Sequence, residues 1–129
     1  MLTPIRAIFV AASIAVSAGA LAATGAAVTI GDTAKGKTLV DQRGMTLYVF
    51  DKDTVGKSAC NGPCAANWPP LVASPGSQPS GDYSITTRDD AAAQWAYKGR
   101  PLYTWKNDAK PGDITGDGLL DNTWHVATP

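Results

Sequence analysis

One short phrase occurs twice in this sequence, and it constrains the fold more than any other feature. Residues 47–53 read LYVFDKD and residues 102–108 read LYTWKND, 55 positions further along the chain. Both stretches follow one pattern: Leu, Tyr, any residue, an aromatic residue, two polar positions and Asp. Similarity at a fixed spacing is typical of folds built from repeated supersecondary units. We therefore expect a chain of two related copies.

The similarity extends beyond the phrase itself. Each copy, about residues 35–73 and about residues 90–127, reads as a β-hairpin followed by a loop and a returning strand. A glycine stands at each hairpin turn, where the backbone needs a positive φ. Residues 74–81, SPGSQPSG, have the composition of a linker between the copies. The aligned pairs are Gly44 with Gly99, Val40 with Trp95 and, after one inserted residue, Trp68 with Trp124.

The two aromatic residues of each phrase are expected on one face of a strand. Because side chains alternate along a strand, Tyr48 and Phe50 share a face, and so do Tyr103 and Trp105. A lone hairpin cannot shield such a face, but two copies can bury their aromatic faces together. Burying four such side chains supplies roughly 6–12 kcal/mol before entropy is subtracted. The structural aromatic residues expected in the core as well are Trp68, Trp95 and Trp124.

Composition favours strands and turns. The sequence has no Glu, and it has 13 Gly and 9 Pro. We predict an all-β fold: a small antiparallel β domain made of two pseudo-repeats, with little helix after the first stretch. The 11 Lys and Arg balance the 11 acidic residues, so no basic face predicts nucleic-acid binding.

Residues 1–22 have the composition of a secretory signal peptide. Arg6 precedes an apolar run from Ala7 to Ala22 that ends in Ala-Leu-Ala, a small-x-small cleavage site. The alternative is a membrane anchor, but the run has about 16 residues where a span needs roughly 20. We predict cleavage after Ala22, a single domain over residues 23–129, a periplasmic or secreted location and no later membrane span.

The two cysteines, Cys60 and Cys64, are expected to be oxidised in an exported chain. The Gly-Pro between them is turn chemistry, which brings two Cα atoms within the roughly 4.4–6.8 Å that a disulfide needs. We predict a structural disulfide that shapes the loop before Trp68. The alternatives are a redox pair, which usually has C-x-x-C at a helix N-terminus, and a zinc site, which needs two more ligands.

Two sets of oxygen-bearing side chains are candidate sites. Asp53 and Asp108 end the phrases and are expected to fix turns by accepting backbone N–H groups, with an acid–base dyad as the alternative. A later stretch resembles the start of a calcium loop, although Trp124 stands where the last ligand should be Glu. Its alternative is a polar turn, and no other cofactor is predicted. The candidate calcium ligands are Asp113, Thr115, Asp117 and Asp121.

Three motifs together span about residues 30–129. They are carried by Tyr48, Phe50, Asp53, Tyr103, Trp105 and Asp108; by Cys60, Gly62, Cys64, Trp68, Pro69 and Pro70; and by Pro111, Gly112, Asp113, Gly116, Trp124, His125 and Val126. In these motifs the chain resembles the bacterial secreted-repeat family of predicted lipoproteins, which is described by a Tyr-x-(Phe/Trp/Tyr)-x-x-Asp motif. The chain departs from that family because no lipid-attachment Cys follows the apolar run. The resemblance implies export and a tie to hydrocarbon (alkane) use in some relatives.

The sequence favours a binding role over catalysis. No catalytic constellation stands out, and aromatic residues recur on one face. We predict an exported non-catalytic β-repeat module that binds an envelope component or a small apolar ligand. One alternative is a periplasmic redox, electron-transfer or metal-binding protein that uses the cysteines or His125. Another is an accessory protein in hydrocarbon catabolism.

Overall fold

A computed structural model describes residues 27–129 of the chain; the predicted signal peptide lies outside the described residues. Within this range the chain forms seven short strands and two short helices, which confirms the all-β class. None of these helices is long and apolar enough to cross a membrane. The elements are β1 Thr29–Thr33, β2 Gly36–Val40, β3 Tyr48–Phe50, α1 Pro63–Asn67, β4 Tyr83–Thr87, β5 Ala93–Tyr97, β6 Arg100–Pro101, α2 Leu119–Asn122 and β7 Trp124–Val126.

The strands pair in three small antiparallel sheets. β1 pairs with β2, and β4, β5 and β6 form the matching sheet of the second copy. The third sheet joins β3 of the first copy to β7 of the second. The hairpins therefore stay within their copies, while the third sheet crosses between them.

The returning strands are exchanged between the two copies. β7 closes the second copy in sequence, yet it lies on β3 of the first copy, with Tyr48 opposite Val126. In the reverse direction, Leu71 of the first copy donates its N–H to the carbonyl of Leu102 at 2.9 Å and accepts from Trp95 at 2.8 Å. Each copy is therefore completed by the last strand of the other.

The two phrases meet at their tyrosines. The N–H of Tyr48 donates to the carbonyl of Tyr103 at 2.7 Å, and the N–H of Tyr103 donates back to the carbonyl of Tyr48 at 3.0 Å. Two equivalent residues that exchange both backbone bonds mark the centre of an antiparallel pair. The copies are therefore related by a local two-fold axis that passes between these tyrosines.

One detail of the sequence alignment is wrong. Leu47 donates its N–H to the carbonyl of Leu39, whereas the equivalent Leu102 donates to the carbonyl of Trp95. Leu39, and not Val40, therefore occupies the position of Trp95. The offset is shifted by one residue because the first hairpin has the longer turn.

The second hairpin has a tight two-residue turn. Tyr97 pairs with Arg100 across Lys98 and Gly99, whose φ angles are 50° and 80°. Two positive φ angles in sequence are the geometry of a type I′ turn, which glycine tolerates best. A Cβ on Gly99 would also lie 2.9 Å from Cγ1 of Val55, so the position is closed to larger residues on two grounds.

The core has two parts, as alternation along the phrases predicts. Leu47 and Leu102 point into an aliphatic cluster that also holds Trp95. Tyr48 and Tyr103 point the other way into an aromatic cluster. Its buried members are Tyr48, Phe50, Cys60, Trp68, Tyr103, Trp124 and Val126, with Trp105 packed against them.

Candidate functional site

Four aromatic rings form one continuous stack through the aromatic cluster. The ring centroids of Phe50 and Trp124 lie 4.2 Å apart, those of Trp124 and Trp68 lie 3.8 Å apart, and those of Trp68 and Trp105 lie 4.2 Å apart. The two central indoles are inclined by only 2° and come from equivalent positions. The stack is therefore itself two-fold in arrangement, but its ends differ, because Phe50 is buried and Trp105 is half-buried.

The phrase tyrosines brace this stack edge-on. The ring of Tyr48 meets Trp68 at 5.3 Å and 77°, and the ring of Tyr103 meets Trp124 at 5.0 Å and 87°. Edge-to-face contact is a preferred geometry for aromatic pairs. Both tyrosines are fully buried, so their hydroxyl groups must find partners inside the protein.

Each tyrosine finds that partner in the other copy. The hydroxyl of Tyr48 donates to Oδ2 of Asp108 at 2.6 Å, and the hydroxyl of Tyr103 donates to Oδ2 of Asp53 at 2.6 Å. The Tyr and Asp of one phrase are therefore never bonded to each other; each reaches across the local two-fold axis. This exchanged bracing was not foreseen from the sequence, because it depends on how the copies face one another.

The second oxygen of each carboxylate holds the loop that follows it. Oδ1 of Asp53 accepts the N–H of Ala59 at 2.7 Å. Oδ1 of Asp108 accepts the N–H of Thr115 at 3.0 Å and its hydroxyl at 2.6 Å. The structure thus places these aspartates where they fix turns, and each one faces a tyrosine.

The raised pKa values of the two tyrosines favour a structural role for these Tyr–Asp pairs over an acid–base role. Burial, reinforced by the hydrogen bonds to Asp108 and Asp53, raises the pKa values of Tyr48 and Tyr103 far above the ordinary tyrosine value. Burial also raises the pKa of Asp53, against the opposing hydrogen bonds from Ala59 and Tyr103. A general acid or base works best with a pKa near the working pH, and the tyrosines are moved away from it. The pairs are suited to bracing.

Gly116 lets the second loop approach the ring stack. A Cβ there would lie 2.6 Å from Cη2 of Trp68 and 3.0 Å from Cγ of Trp105. Its N–H also points at the hydroxyl of Tyr48 at 3.3 Å. The loop could not approach the stack this closely with a side chain at this position. Close packing therefore explains why the third sequence motif has a glycine here.

A buried arginine secures the cysteine loop. Arg88 is 3 % exposed, and its Nη1 donates to Oε1 of Gln94 at 2.8 Å and to Oγ of Ser58 at 3.0 Å. Its Nη2 donates to the carbonyl of Cys60 at 2.6 Å, and Oγ of Ser58 lies 2.6 Å from the hydroxyl of Tyr103. Sequence reasoning missed Arg88, since nothing beside it in the chain indicates burial.

The disulfide joins Cys60 to Cys64 with their Cα atoms 5.2 Å apart. Cys60 is fully buried, and Cys64 lies in the first turn of α1, which Pro63 begins. The carbonyl of Cys64 accepts the N–H of Trp68 at 2.8 Å at the end of this helix. The disulfide loop therefore leads directly into one of the stacked indoles.

Three of the four candidate calcium ligands, Asp113, Thr115 and Asp117, bind protein partners. Asp113 accepts from Ala109 and Lys110, and Thr115 is bonded to Asp108 as described above. Asp117 accepts from Val126 and lies 3.1 Å from Nζ of Lys35; Asp121 sits in the left-handed turn of α2. Across residues 27–129 no three His, Cys, Asp or Glu side chains come together to hold a metal ion.

A surface groove lies beside the second hairpin turn; we call it the Arg100 groove. It encloses about 360 Å³ and is lined by Val49 and Val126 together with the basic residues Lys98, Arg100 and His125. At its edge, Nε2 of His125 lies 2.7 Å and Nη2 of Arg100 lies 3.3 Å from the carboxylate of Asp51. The groove therefore combines an apolar floor with a basic rim. Sequence reasoning placed Lys98 on a solvated rim beside the aromatic residues but did not single out Arg100.

The fold and the braced core define a β domain of two repeats that share one interior. Consistent with this class, the chain belongs to the family described as "secreted repeat of unknown function", whose sequence profile matches residues 29–72 and 84–128. These matches include β1 and β4, so they begin earlier than the repeats at about 35–73 and 90–127 read from the sequence. No curated protein and no solved structure matches the chain.

Proposed function

We propose that the chain is an exported, non-catalytic binding module whose Arg100 groove takes a small carboxylic acid with an apolar body. The observation that carries this proposal is the pairing of an apolar floor with three basic side chains in one groove. Sites for small molecules commonly combine apolar lining with a few well-placed polar groups. Within the groove, the apolar part of the ligand lies on Val49 and Val126, and its acid group faces Arg100.

The charges at the rim favour an anion. Arg100 and His125 share a single carboxylate, that of Asp51, while Nζ of Lys98 lies 5.2 Å from the ring centre of Tyr97. Among the described residues Lys98 forms no ion pair, so its ammonium group gives the rim a positive charge to offer. An arginine fork is also the side chain best matched to a planar carboxylate.

The buried motif residues support a role without catalysis. Tyr48, Tyr103, Asp53 and Asp108 are occupied by one another and by loop groups, so they hold the scaffold beneath the groove. A redox role would act through the Cys60–Cys64 disulfide, in which Cys60 is fully buried and Cys64 is half-buried; neither cysteine lines the Arg100 groove. A hydrocarbon accessory role would require a neutral ligand to bind as well as an acid.

The test is a titration of the purified protein with octanoate and with octanol, followed by the methyl NMR signals of Val49 and Val126. We expect octanoate to bind in preference, and Arg100→Gln to weaken it about fivefold, the effect of about 1 kcal/mol. Lys37→Gln removes an exposed charge from β2 that, like Arg100, is paired with one Asp, and it is the control, with no change expected. Equal binding of octanol and octanoate, or an unchanged affinity in Arg100→Gln, would overturn the proposal.

A further inference from the structure

The Arg100 groove has a counterpart in the other copy. The local two-fold axis relates Lys98 to Arg43 and Arg100 to Met45, since these pairs flank the two hairpin glycines at the same positions. The counterpart groove encloses about 290 Å³ and is lined by Arg43, Met45 and Trp105 among others. Both copies therefore carry a groove beside the hairpin turn, and the two grooves have different linings.

The divergence brings the end of the ring stack to the surface. In the counterpart groove the aromatic residue of the phrase, Trp105, is half-buried and lines the opening. Its equivalent Phe50 is only 8 % exposed and does not line the Arg100 groove. The inner side of Trp105 packs on Trp68, which fixes the orientation of the indole. An indole held rigidly at the end of a stack can accept one more ring without losing its own freedom.

Two cations flank this indole. Arg43 has a side chain that is 76 % exposed and lies 3.6 Å from the carboxylate of Asp41, and Lys106 is also exposed on the groove. Asp108 lines the groove as well, but both of its oxygens are occupied by Tyr48 and by the following loop. The rim therefore offers the exposed cationic groups of Arg43 and Lys106 next to an aromatic surface.

We propose that this groove, the Trp105 groove, is a second binding site selective for flat aromatic carboxylates. The ring of the ligand packs on Trp105, with the thioether of Met45 beside it, and the carboxylate lies between Arg43 and Lys106. Aromatic pairing and sulfur–aromatic contact both favour a ring over an alkyl chain here. This site is separate from the Arg100 groove, where Lys98 covers the ring of Tyr97, and it does not depend on the ligand proposed there.

The probe is 2-naphthoate, titrated into the purified protein and followed by calorimetry and by the indole N–H NMR signal of Trp105. We expect 2-naphthoate to bind more tightly than octanoate at this site and to shift that signal. Arg43→Gln and Lys106→Gln should each weaken 2-naphthoate about threefold to fivefold, the effect of an exposed charge contact. Trp105→Phe, which installs the residue of the other copy, should weaken it while the circular dichroism spectrum is retained.

Lys98→Gln is the matched control, because it removes the equivalent cation from the Arg100 groove. We expect it to leave the 2-naphthoate affinity unchanged, whereas Arg100→Gln weakens octanoate alone. The proposal is overturned if Lys98→Gln weakens 2-naphthoate as much as Arg43→Gln does, or if the Arg43→Gln/Lys106→Gln protein binds it normally. It is also overturned if octanoate displaces 2-naphthoate at equal concentration, since the ring would then contribute nothing.

Discussion

The hydroxyl groups of Tyr48 and Tyr103 contribute to the stability of the fold through hydrogen bonds as well as through the burial of their rings. Each one donates to a carboxylate of the other copy, and of these Asp108 is buried and Asp53 is half-buried. A buried carboxylate that loses its donor keeps the cost of desolvation without compensation. Loss of either hydroxyl is therefore expected to destabilise the domain by more than the loss of an exposed one.

Tyr103→Phe should lower the free energy of unfolding by about 1–3 kcal/mol, because it leaves Asp53 and Ser58 without the hydroxyl they share. Urea denaturation followed by circular dichroism measures the change. Tyr97→Phe removes the hydroxyl of a half-buried tyrosine outside the phrase and is the control, with a change below about 0.5 kcal/mol. Equal effects of the two substitutions would contradict the bracing role.

A double-mutant cycle tests the exchange between copies directly. Tyr48→Phe and Asp108→Asn should be coupled by about 0.5–3 kcal/mol, because these residues share one hydrogen bond. Tyr48→Phe and Asp53→Asn, which belong to the same phrase, serve as the control cycle. If that pair were the more strongly coupled one, the tyrosines would be bonded within their own copies.

The residue scale also shows what a pattern can and cannot predict. Alternation along the phrase predicted that Leu47 and Tyr48 face opposite ways, and they lie in different clusters. It could not predict that Tyr48 bonds to Asp108, because that requires the relative placement of two copies. Arg88 was missed for the same reason: its partners Ser58 and Cys60 are distant in sequence.

Among the elements, the short helix α1 has a larger effect than its five residues suggest. It links the disulfide to Trp68, so that the covalent bond and the ring stack stiffen one another. The sequence predicted a loop here because Cys-Asn-Gly-Pro-Cys reads as turn chemistry. The helix forms because Pro63 supplies the fixed φ of a first helical residue and the disulfide holds the turn together.

Loss of the disulfide should lower the free energy of unfolding by about 2 kcal/mol, the loop-entropy contribution of so small a ring. The measurement is urea denaturation with and without a thiol reductant, which avoids the cavity that Cys60→Ala would create. Reduction should also shift the indole N–H NMR signal of Trp68 while leaving that of Trp95 in place, since Trp95 lies in the other cluster. A shift of Trp95 alone would contradict this view of the loop.

At the scale of strands, the hairpins were predictable and their assembly was not. Gly44 and Gly99 mark turns with positive φ in both the sequence and the structure. The returning strands were also expected, but nothing in Leu71 or in β7 states which copy each will join. The local pattern of a strand specifies its buried face, whereas the choice between two similar partners depends on loop lengths and on the core as a whole.

Taken as a whole, the molecule has one interior that neither copy can form alone. The hydroxyl group of each phrase tyrosine, each returning strand and each central indole has a partner in the other copy. Cooperative folding is therefore expected to extend over both repeats as one unit. The four-ring stack described above lies across the boundary between them.

Separate fragments covering residues 27–80 and 82–129 should each lack stable structure and should fold when mixed. The physical reason is that each fragment lacks the strand that closes its sheet. Dispersed amide NMR signals that appear only in the mixture would show this result. The control is the second fragment with Tyr103→Phe and Asp108→Asn, which should associate more weakly. Cooperative unfolding of either fragment alone would contradict it.

Stability should fall in alkaline solution. The pKa values of Tyr48 and Tyr103 are raised in the folded protein, whereas an unfolded tyrosine ionises near about 10. The folded state therefore keeps protons that the unfolded state releases, so this stability is present below pH ~10 and is lost as the pH rises further. The slope is about 1.4 kcal/mol per pH unit for each tyrosine.

Absorbance at 295 nm and circular dichroism, recorded together against pH, measure this dependence. Two of the four tyrosines should ionise only as the structure is lost, and Tyr103→Phe should roughly halve the slope of the free energy of unfolding against pH. If all four tyrosines ionised near the ordinary tyrosine pKa while the structure stayed intact, Tyr48 and Tyr103 could not be held in buried Tyr–Asp pairs.

The exchange of closing strands has a consequence for assembly. Residues 74–81 are the only covalent bridge between copies whose complementary surfaces are each matched to the opposite copy and not to themselves. The same contacts would be satisfied if the opposite copy came from a neighbouring chain. Shortening this bridge would strain the monomer and leave the contacts between the copies unchanged, so a deletion that removes no buried residue would convert the domain into a reciprocal dimer.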